Sequence, residues 1–324
     1  MRVLIVGKAG SIVHWEENVL ATCRALGWEA LFWAVNGHNR LQRLWRKGLR
    51  ALDRRWLHRH LADDLARTLE RWPPQLVLFI GAYHLPLTLY EAAAQSGADP
   101  VRVGWVGERF PPERKAIARH LHRVYYTDSG FMQEAAAHGF PDHGRWLPLA
   151  ADEARFKPAA SGADLPMVFV ANATAWRLQV LQRLRTPIAV YGRGWRALRD
   201  TPHRVRHGRL PQARVPGLYA RSLAVLNVRN EQNLLAGLNQ RIFEASACGR
   251  PVLNDAMPDL ERCFDPQREV LVWRELDELN ELAARVTRDP VLPARVGEAA
   301  RRRVLAEHTW RHRLRAMVQD LALS

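Results

Sequence analysis

Asn239-Gln-Arg-Ile-Phe-Glu-Ala-Ser-Ala-Cys-Gly-Arg-Pro-Val-Leu253 reads as one short helix feeding one buried strand. Ile242, Phe243 and Ala247 fall on one helical face, with small residues filling the turns between. Gly249 sits where a helix ends in a left-handed residue, and Pro251 keeps the helix from restarting. Val252 and Leu253 then open a strand. Glu244 is a carboxylate inside this otherwise apolar segment, and a buried carboxylate is costly unless something hydrogen-bonds it. Two partners remain open from the residues alone: the paired hydroxyls of a nucleotide ribose, or a salt bridge to Arg241 or another arginine.

Phe243-Glu-Ala-Ser-Ala-Cys-Gly-Arg-Pro-Val252 resembles the E-A-x-A-C-G-x-P-V segment of retaining glycosyltransferases with the two-domain GT-B architecture. The preceding Asn239-x-Arg241 and the later His308-Thr-Trp-x-x-Arg313 look more like the CgeB-like spore-maturation branch. The resemblance implies an α/β fold of two Rossmann-like domains facing across a cleft. It also implies that the helix glutamate, Glu244, holds the ribose of a nucleotide sugar. Ala236 stands eight residues before Glu244, where many retaining enzymes carry a paired glutamate. That departure leaves the stereochemistry of transfer, retaining or inverting, open.

At 324 residues the chain suits two domains of about 150 residues each. Three cysteines, Cys23, Cys248 and Cys263, are odd in number and widely spaced. They argue against a disulfide framework or a zinc site and fit a reduced, cytoplasmic setting. The apolar run at Met1–Val6 is too short for a signal peptide and reads as a strand. No apolar run approaches the roughly 18 residues of a spanning helix.

The net charge is +15, and both halves are basic. Residues 1–150 carry 20 Lys and Arg against 14 Asp and Glu, and residues 151–324 carry 28 against 19. Arg40 to Arg59 holds eight cations with only Asp53 opposing them, and Arg193 to Arg221 holds eight with only Asp200. Such a field suits polyanions: nucleotide diphosphates, anionic membrane, acidic glycans or nucleic acid. Arginine-rich coding that merely inflates surface charge explains it too.

In chain order, strands at Arg2–Val6 and Glu29–Val35 bracket a helix near Trp15–Leu26, so the chain opens β-α-β with a parallel sheet. Gly7-Lys-Ala-Gly10 is not G-x-G-x-x-G, and no acid closes the second strand, so no dinucleotide site is expected there. Leu41 to Leu69 has helical periodicity with basic residues on the other face. It suits an ordinary solvated helix pair, a helix lying on anionic membrane, or a surface for a polyanionic acceptor. Further strands are expected at Gln75–Ile80, Val101–Val106 and Arg123–Tyr126, with Asp128 capping the next helix.

Trp146-Leu-Pro-Leu-Ala150 closes the first domain, and residues 155–165, with Pro158 and Ser161-Gly162, form the expected linker. The boundaries are therefore 1–154, 155–307 and 308–324. The resemblance suggests that the last segment is a helix crossing back onto the first domain. In the second domain strands are expected at Met167–Val170, Ile188–Tyr191, Leu223–Val228, Val252–Leu253 and Val270–Val272.

Ligands of open parallel sheets gather outside the carboxyl ends of the strands. In the first domain that rule selects His14, His84, Glu108 and Asp128, of which Asp128 reads as a helix cap. Glu108 and His14, then His84, are the candidates for a general base reaching an acceptor hydroxyl. In the second domain it selects Asn172, Arg177, Gly192 to Trp195, Arg229 and Asn230. A cation plus backbone amides at Arg177 could cradle a diphosphate. The resemblance implies a phosphate-binding arginine or lysine near this point, which makes Arg177 the first choice and Arg241 the second, each equally explained by a surface salt bridge. Gly192-Arg-Gly-Trp195 offers a turn where a base stacks on Trp195 or hydrogen-bonds to backbone, unless the stretch is simply a glycine turn with a core tryptophan. Asn239 and the amides of Gly237 and Leu238 at the start of the organising helix are further anion donors.

No Asp-x-Asp motif or His/Cys cluster of metal spacing occurs, so metal-independent chemistry without a cofactor is expected. The function expected is sugar transfer from a nucleotide-diphosphate sugar to an acceptor. Modified DNA, an envelope glycan and a lipid-linked acceptor all suit the charge. The rivals are a nucleic-acid-binding protein on an inactive transferase scaffold and a nucleotide-sugar epimerase. The oligomeric state is not legible.

Overall fold

Val3 to Val6 and Leu76 to Ile80 are apolar runs without polar alternation, and both are buried on both faces. That pattern belongs to a parallel sheet covered by helices on each side. The computed structural model describes residues 1–10, 14–160 and 162–323, so Ser161 of the expected linker lies outside the described residues. The chain forms two compact units, Met1–Pro148 with Leu314–Ser324, and Leu149–Arg313.

The first unit runs β1 (Arg2–Gly7), α1 (Trp15–Ala25), β2 (Glu29–Ala34), α2 (Arg40–Leu52), α3 (Arg54–Arg71) and β3 (Leu76–Ile80). It continues with α4 (Leu87–Ala94), β4 (Val101–Val106), α5 (Lys115–Ala118), β5 (Arg123–Tyr126), α6 (Ser129–Ala137) and β6 (Gly144–Trp146). Its sheet is all parallel in the order β2-β1-β3-β4-β5-β6. The strand order reverses between β1 and β3.

Asp128 caps α6 by accepting from the Gly130 amide at 2.8 Å. The amides of Lys8, Ala9 and Gly10 donate to Glu16, Asn36 and Glu17 at 3.1, 2.8 and 3.3 Å. These three amides therefore donate to the chain's own side chains.

The second unit runs β7 (Val168–Val170), α7 (Ala175–Arg183), β8 (Ala189–Gly192), β9 (Arg204–His207), α8 (Val215–Arg221) and β10 (Val225–Asn227). Then follow α9 (Gln240–Ala247), β11 (Val252–Asp255), β12 (Leu271–Trp273), α10 (Leu276–Arg288) and α11 (Leu292–Glu307). Its parallel sheet has the order β12-β11-β10-β7-β8-β9, so its reversal point lies between β7 and β10. Here the element missed in the sequence is β9. Arg204-Val-Arg-His207 offers one apolar residue and lies at the sheet edge, where burial does not demand more.

The organising segment folds as its residues dictate. Asn239 caps α9, accepting from the Arg241 amide at 3.1 Å. Ile242, Phe243 and Ala247 are fully buried. Gly249 ends the helix at φ 70°. A Cβ on Gly297 of α11 would stand 2.1 Å from the Gly249 carbonyl oxygen, so the two elements touch backbone to backbone. The last helix, α12 (Trp310–Asp320), contributes its final residues to the first unit. There Asp320 accepts from the Tyr125 hydroxyl at 2.7 Å and pairs with Arg123 at 2.9 Å.

Candidate functional site

The reversal point of the second sheet collects most of the residues singled out there. Two adjacent strands whose crossovers leave in opposite directions open a crevice at their carboxyl ends. In this unit those strands are β7 and β10. Arg177, on the first turn of α7, is buried. Its Nε and Nη2 both donate to the Val228 carbonyl at 3.1 Å, and its Nη1 donates to the Asn172 carbonyl at 3.1 Å. Arg177 thus ties the exit of β7 to the exit of β10, and its exposed surface is small. Arg241, half-buried on α9, donates through Nε to the Val170 carbonyl at 3.0 Å and through Nη1 to Asn227 Oδ1.

The Arg177 and Arg241 guanidinium carbons lie 5.9 and 5.5 Å from the centre of the Phe169 ring. Burial and the charge of Arg241 pull the Arg177 pKa down to about 9, which leaves it charged at neutral pH. Two cations crowded at a strand end create a demand for negative charge. Part of that demand is met by Asp255, at the end of β11. It is buried, accepts from the Arg229 amide at 3.2 and 3.1 Å, and has its pKa raised by burial to about 6.

Another part is met by Glu231. Its carboxylate accepts from the Thr174 hydroxyl at 2.9 Å and from the Trp176 amide at 3.3 Å, at the start of α7. An internal acid therefore occupies the helix terminus where a phosphate was one expectation. Glu231 was not singled out in the sequence, although it is the lone acid between Asp200 and Glu244. Asn227 was also missed. It is an amide ending an apolar strand, and it accepts from Asn239 Nδ2 at 2.9 Å while donating to Asn254 Oδ1 at 2.5 Å.

The turn after β8 needs its glycines. Gly192 has φ 143°, and a Cβ there would stand 1.9 Å from the Ala171 carbonyl oxygen. Asn172 lies on the surface, and its side chain accepts from the Arg193 amide at 3.1 Å. Trp195 corrects the expectation of a base-stacking surface. It is fully buried, and its indole N–H donates to the Ala171 carbonyl at 2.8 Å. The ring braces the turn from the inside and offers no face to a ligand.

Glu244 sits on α9, half-buried. Gln240 Nε2 donates to its Oε1 at 2.8 Å, while Arg241 and Arg155 act on it through space without an ion pair among the described residues. Burial raises its pKa to about 8, against the opposing pull of the Gln240 hydrogen bond and of Arg241 and Arg155. The salt-bridge alternative for this residue therefore does not apply in this structure. Ahead of it, Gly237 and Leu238 are buried at the start of α9, and Asn239 turns one carbonyl oxygen onto the Arg241 amide.

Residues 174–319 match the family model described as glycosyl transferase-like. The matched region holds Arg177, Glu231, Asn239, Arg241 and Glu244, and excludes every candidate of the first unit. Comparison with curated proteins gives no match. Among solved structures, HepE of Anabaena, described in complex with UDP and glucose, aligns at TM-score 0.70 and 11% identity over 99% of both chains. Sucrose-phosphate synthase of Thermosynechococcus elongatus aligns at TM-score 0.70 and 13% identity, covering 99% of this chain and 98% of that one. A glycosyltransferase of Rickettsia africae aligns at 0.70 and 12%, covering 98% and 97%. The fold is accordingly the two-unit α/β architecture of GT-B glycosyltransferase structures.

In the first unit, adjacent strand ends bring two of the three base candidates together. His84 closes a short 3-10 turn after β3, and Glu108 follows β4. His84 Nε2 lies 3.6 Å from Glu108 Oε2, with the side chains 31% and 64% exposed. Gly107 permits this placement, because a Cβ there would stand 2.5 Å from the Trp15 ring. His14 begins α1 at φ 48°, and its Nδ1 faces Glu17 Oε2 at 3.7 Å. Among the described residues no group of three His, Cys, Asp or Glu side chains is placed to hold a metal ion.

Proposed function

We propose that this protein transfers a sugar from a nucleotide-diphosphate sugar to an acceptor nucleophile, with the donor held by the second unit. The observation that carries the reading is Glu244, a half-buried carboxyl with no ion-pair partner among the described residues, one turn into the helix that follows β10. A ribose diol supplies the two donors that such a carboxylate lacks. Arg241 and the Gly237 and Leu238 amides are the groups assigned to the diphosphate, where they stabilise charge on the departing group. Arg177 serves indirectly, by fixing the loop that carries Asn172. Glu108, with His84 beside it, is assigned to the acceptor proton. The match over residues 174–319 supports sugar transfer, and the GT-B fold is compatible with it. The nearer resemblance to the CgeB-like branch rests on Asn239-x-Arg241 and on His308 to Arg313.

HepE shares the fold and is also described in complex with UDP-glucose, so UDP and UDP-glucose are the first ligands to test. Calorimetric titration with UDP, GDP, ADP and dTDP is expected to show saturable binding of at least one, weakened tenfold or more in Glu244→Gln. Lack of binding by the whole panel, or equal binding by the variant, removes the assignment. Incubation of the donor alone separates a transferase from an epimerase, which converts the donor without an acceptor.

A further inference from the structure

Helix α2 is turned the wrong way round for a helix that merely covers a core. At about 100° per residue, Leu41, Leu44, Trp45 and Leu52 share one stripe. That stripe points to solvent, with exposures of 79%, 58%, 45% and 85%. The buried residue is instead a cation, with half-buried Leu49 packed against the core beside it. Arg46 is 8% exposed, donates through Nη1 to the Ala34 and Val35 carbonyls at 2.6 and 3.0 Å, and pairs with Asp64 at 3.3 Å. Its guanidinium also lies 5.6 Å from the centre of the Trp33 ring. These bonds fix the rotation of α2, so the apolar stripe is held outward by specific contacts.

Trp56, at the start of α3, extends the stripe. It is 43% exposed, with its ring 6.2 Å from that of Trp45. Both indoles are large amphipathic groups left at the surface, beside the three outward leucines.

Around this patch the charge is nearly all positive. Arg40 and Lys47 border the stripe on α2, Arg43 and Arg50 sit farther round the same helix, and Arg54, Arg55 and Arg59 continue from α3, with Asp53 the only acid between positions 40 and 59. All seven cations are exposed. An apolar stripe with two tryptophans, flanked by cations, has the composition of a helix that lies in the interface of an anionic membrane. A purely polyanionic partner such as nucleic acid accounts for the cations and leaves the leucines uncovered. A second copy of the chain covers the leucines and sets seven cations against seven. Only an anionic bilayer answers both features.

We infer that α2 and the first turn of α3 dock this protein onto an anionic lipid bilayer, with Leu41, Leu44, Trp45, Leu52 and Trp56 at the acyl boundary and the flanking cations at the headgroups. This surface is separate from the residues assigned to the donor and stands whether or not that assignment does.

The test is flotation of the full chain with vesicles of phosphatidylcholine alone or with about a third phosphatidylglycerol. Binding is expected to the anionic vesicles, to weaken with added salt, and to fall about tenfold or more in Leu41→Ser/Leu44→Ser/Leu52→Ser. These three side chains are exposed, so the variant keeps its fold, which circular dichroism checks. Equal flotation of wild type and variant, or no flotation with anionic vesicles, overturns the inference. A concentration-dependent dimer in sedimentation that the triple variant abolishes, without vesicle binding, assigns the stripe to a second copy. Salt-sensitive binding of duplex DNA that the triple substitution leaves unchanged, again without vesicle binding, assigns the patch to a polyanion.

Discussion

Gln240 and Glu244 lie one turn apart on α9, and the Gln240 amide donates to Glu244 Oε1 at 2.8 Å. The two influences on this carboxyl pull in opposite directions. Burial favours the neutral acid, while the donated hydrogen bond and the nearby Arg241 favour the carboxylate. Burial prevails, and the pKa rises to about 8. Around neutral pH the group therefore carries a proton most of the time. A ligand presenting two hydroxyl donors stabilises the charged form and displaces that proton.

Nucleotide affinity should accordingly depend on pH. The diol prefers the carboxylate, so affinity is expected to rise from pH 6.5 and level off above about 8, by up to tenfold per unit in the steep region. Titrations in buffers of different ionisation enthalpy should show net proton release in the wild type and little in Glu244→Gln. A wild-type affinity that is flat over this range argues against Glu244 as the ribose contact.

Arg177 makes a different prediction from the other site residues, because its guanidinium is spent on backbone. Arg177→Ala leaves the Val228 and Asn172 carbonyls without their donor in a site the chain cannot refill. The expected cost is about 2–4 kcal/mol, read by denaturant unfolding. Binding should fall with stability, since the β7 and β10 exits lose their tie. Full stability with binding alone lost would restore Arg177 as a direct phosphate contact.

The pair His84 and Glu108 is testable by kinetics once an acceptor is in hand. Glu108→Gln is expected to lower kcat about a hundredfold or more and leave nucleotide binding unchanged. Its side chain is 64% exposed, so unfolding midpoints should not move. His84→Asn should cost less, because that imidazole acts beside the carboxylate. A Glu108→Gln enzyme with normal kcat passes the role of base to another group.

The organising segment was legible because several local rules agree over fifteen residues. Asn239 caps, Ile242 and Phe243 bury, Gly249 turns at positive φ, and Pro251 blocks continuation. The doubled β-α plan followed from apolar runs such as Val3–Val6, which only a covered parallel sheet accommodates. Local pattern could not tell which polar groups satisfy each other across the fold. Arg177 and Trp195 both lie at strand mouths, as expected, yet Trp195 donates to a backbone carbonyl more than twenty residues away, and Arg177 gives two of its donors to one more than fifty away. Glu231 was hidden for the same reason, its partners Thr174 and Trp176 lying on another element. The outward stripe of α2 was ambiguous too, because the periodicity shows that a face exists without saying which way it points.

His308 and Arg313 give the last prediction, and it concerns stability. His308 is buried, its Nε2 pairs with the Cys263 carbonyl at 2.8 Å, and its Nδ1 accepts from Arg313 Nη2 at 2.8 Å. The second bond requires an unprotonated Nδ1, so the ring is neutral and donates through Nε2. Burial and the Arg313 charge push the His308 pKa down to about 3, below the usual value near 6.5. The unfolded chain therefore takes up a proton between these values that the folded chain refuses. Stability is retained above about pH 6.5 and is lost as pH falls from there toward 3, by on the order of a few kcal/mol. Urea unfolding at pH 7.5, 6 and 5 should show this decline in the wild type and a shallower one in His308→Gln, which cannot titrate. Arg313 also donates to the Leu149 carbonyl at 3.3 and 3.0 Å, so Arg313→Ala should destabilise at every pH. Equal pH slopes for wild type and His308→Gln would mean that other groups govern the acid limb.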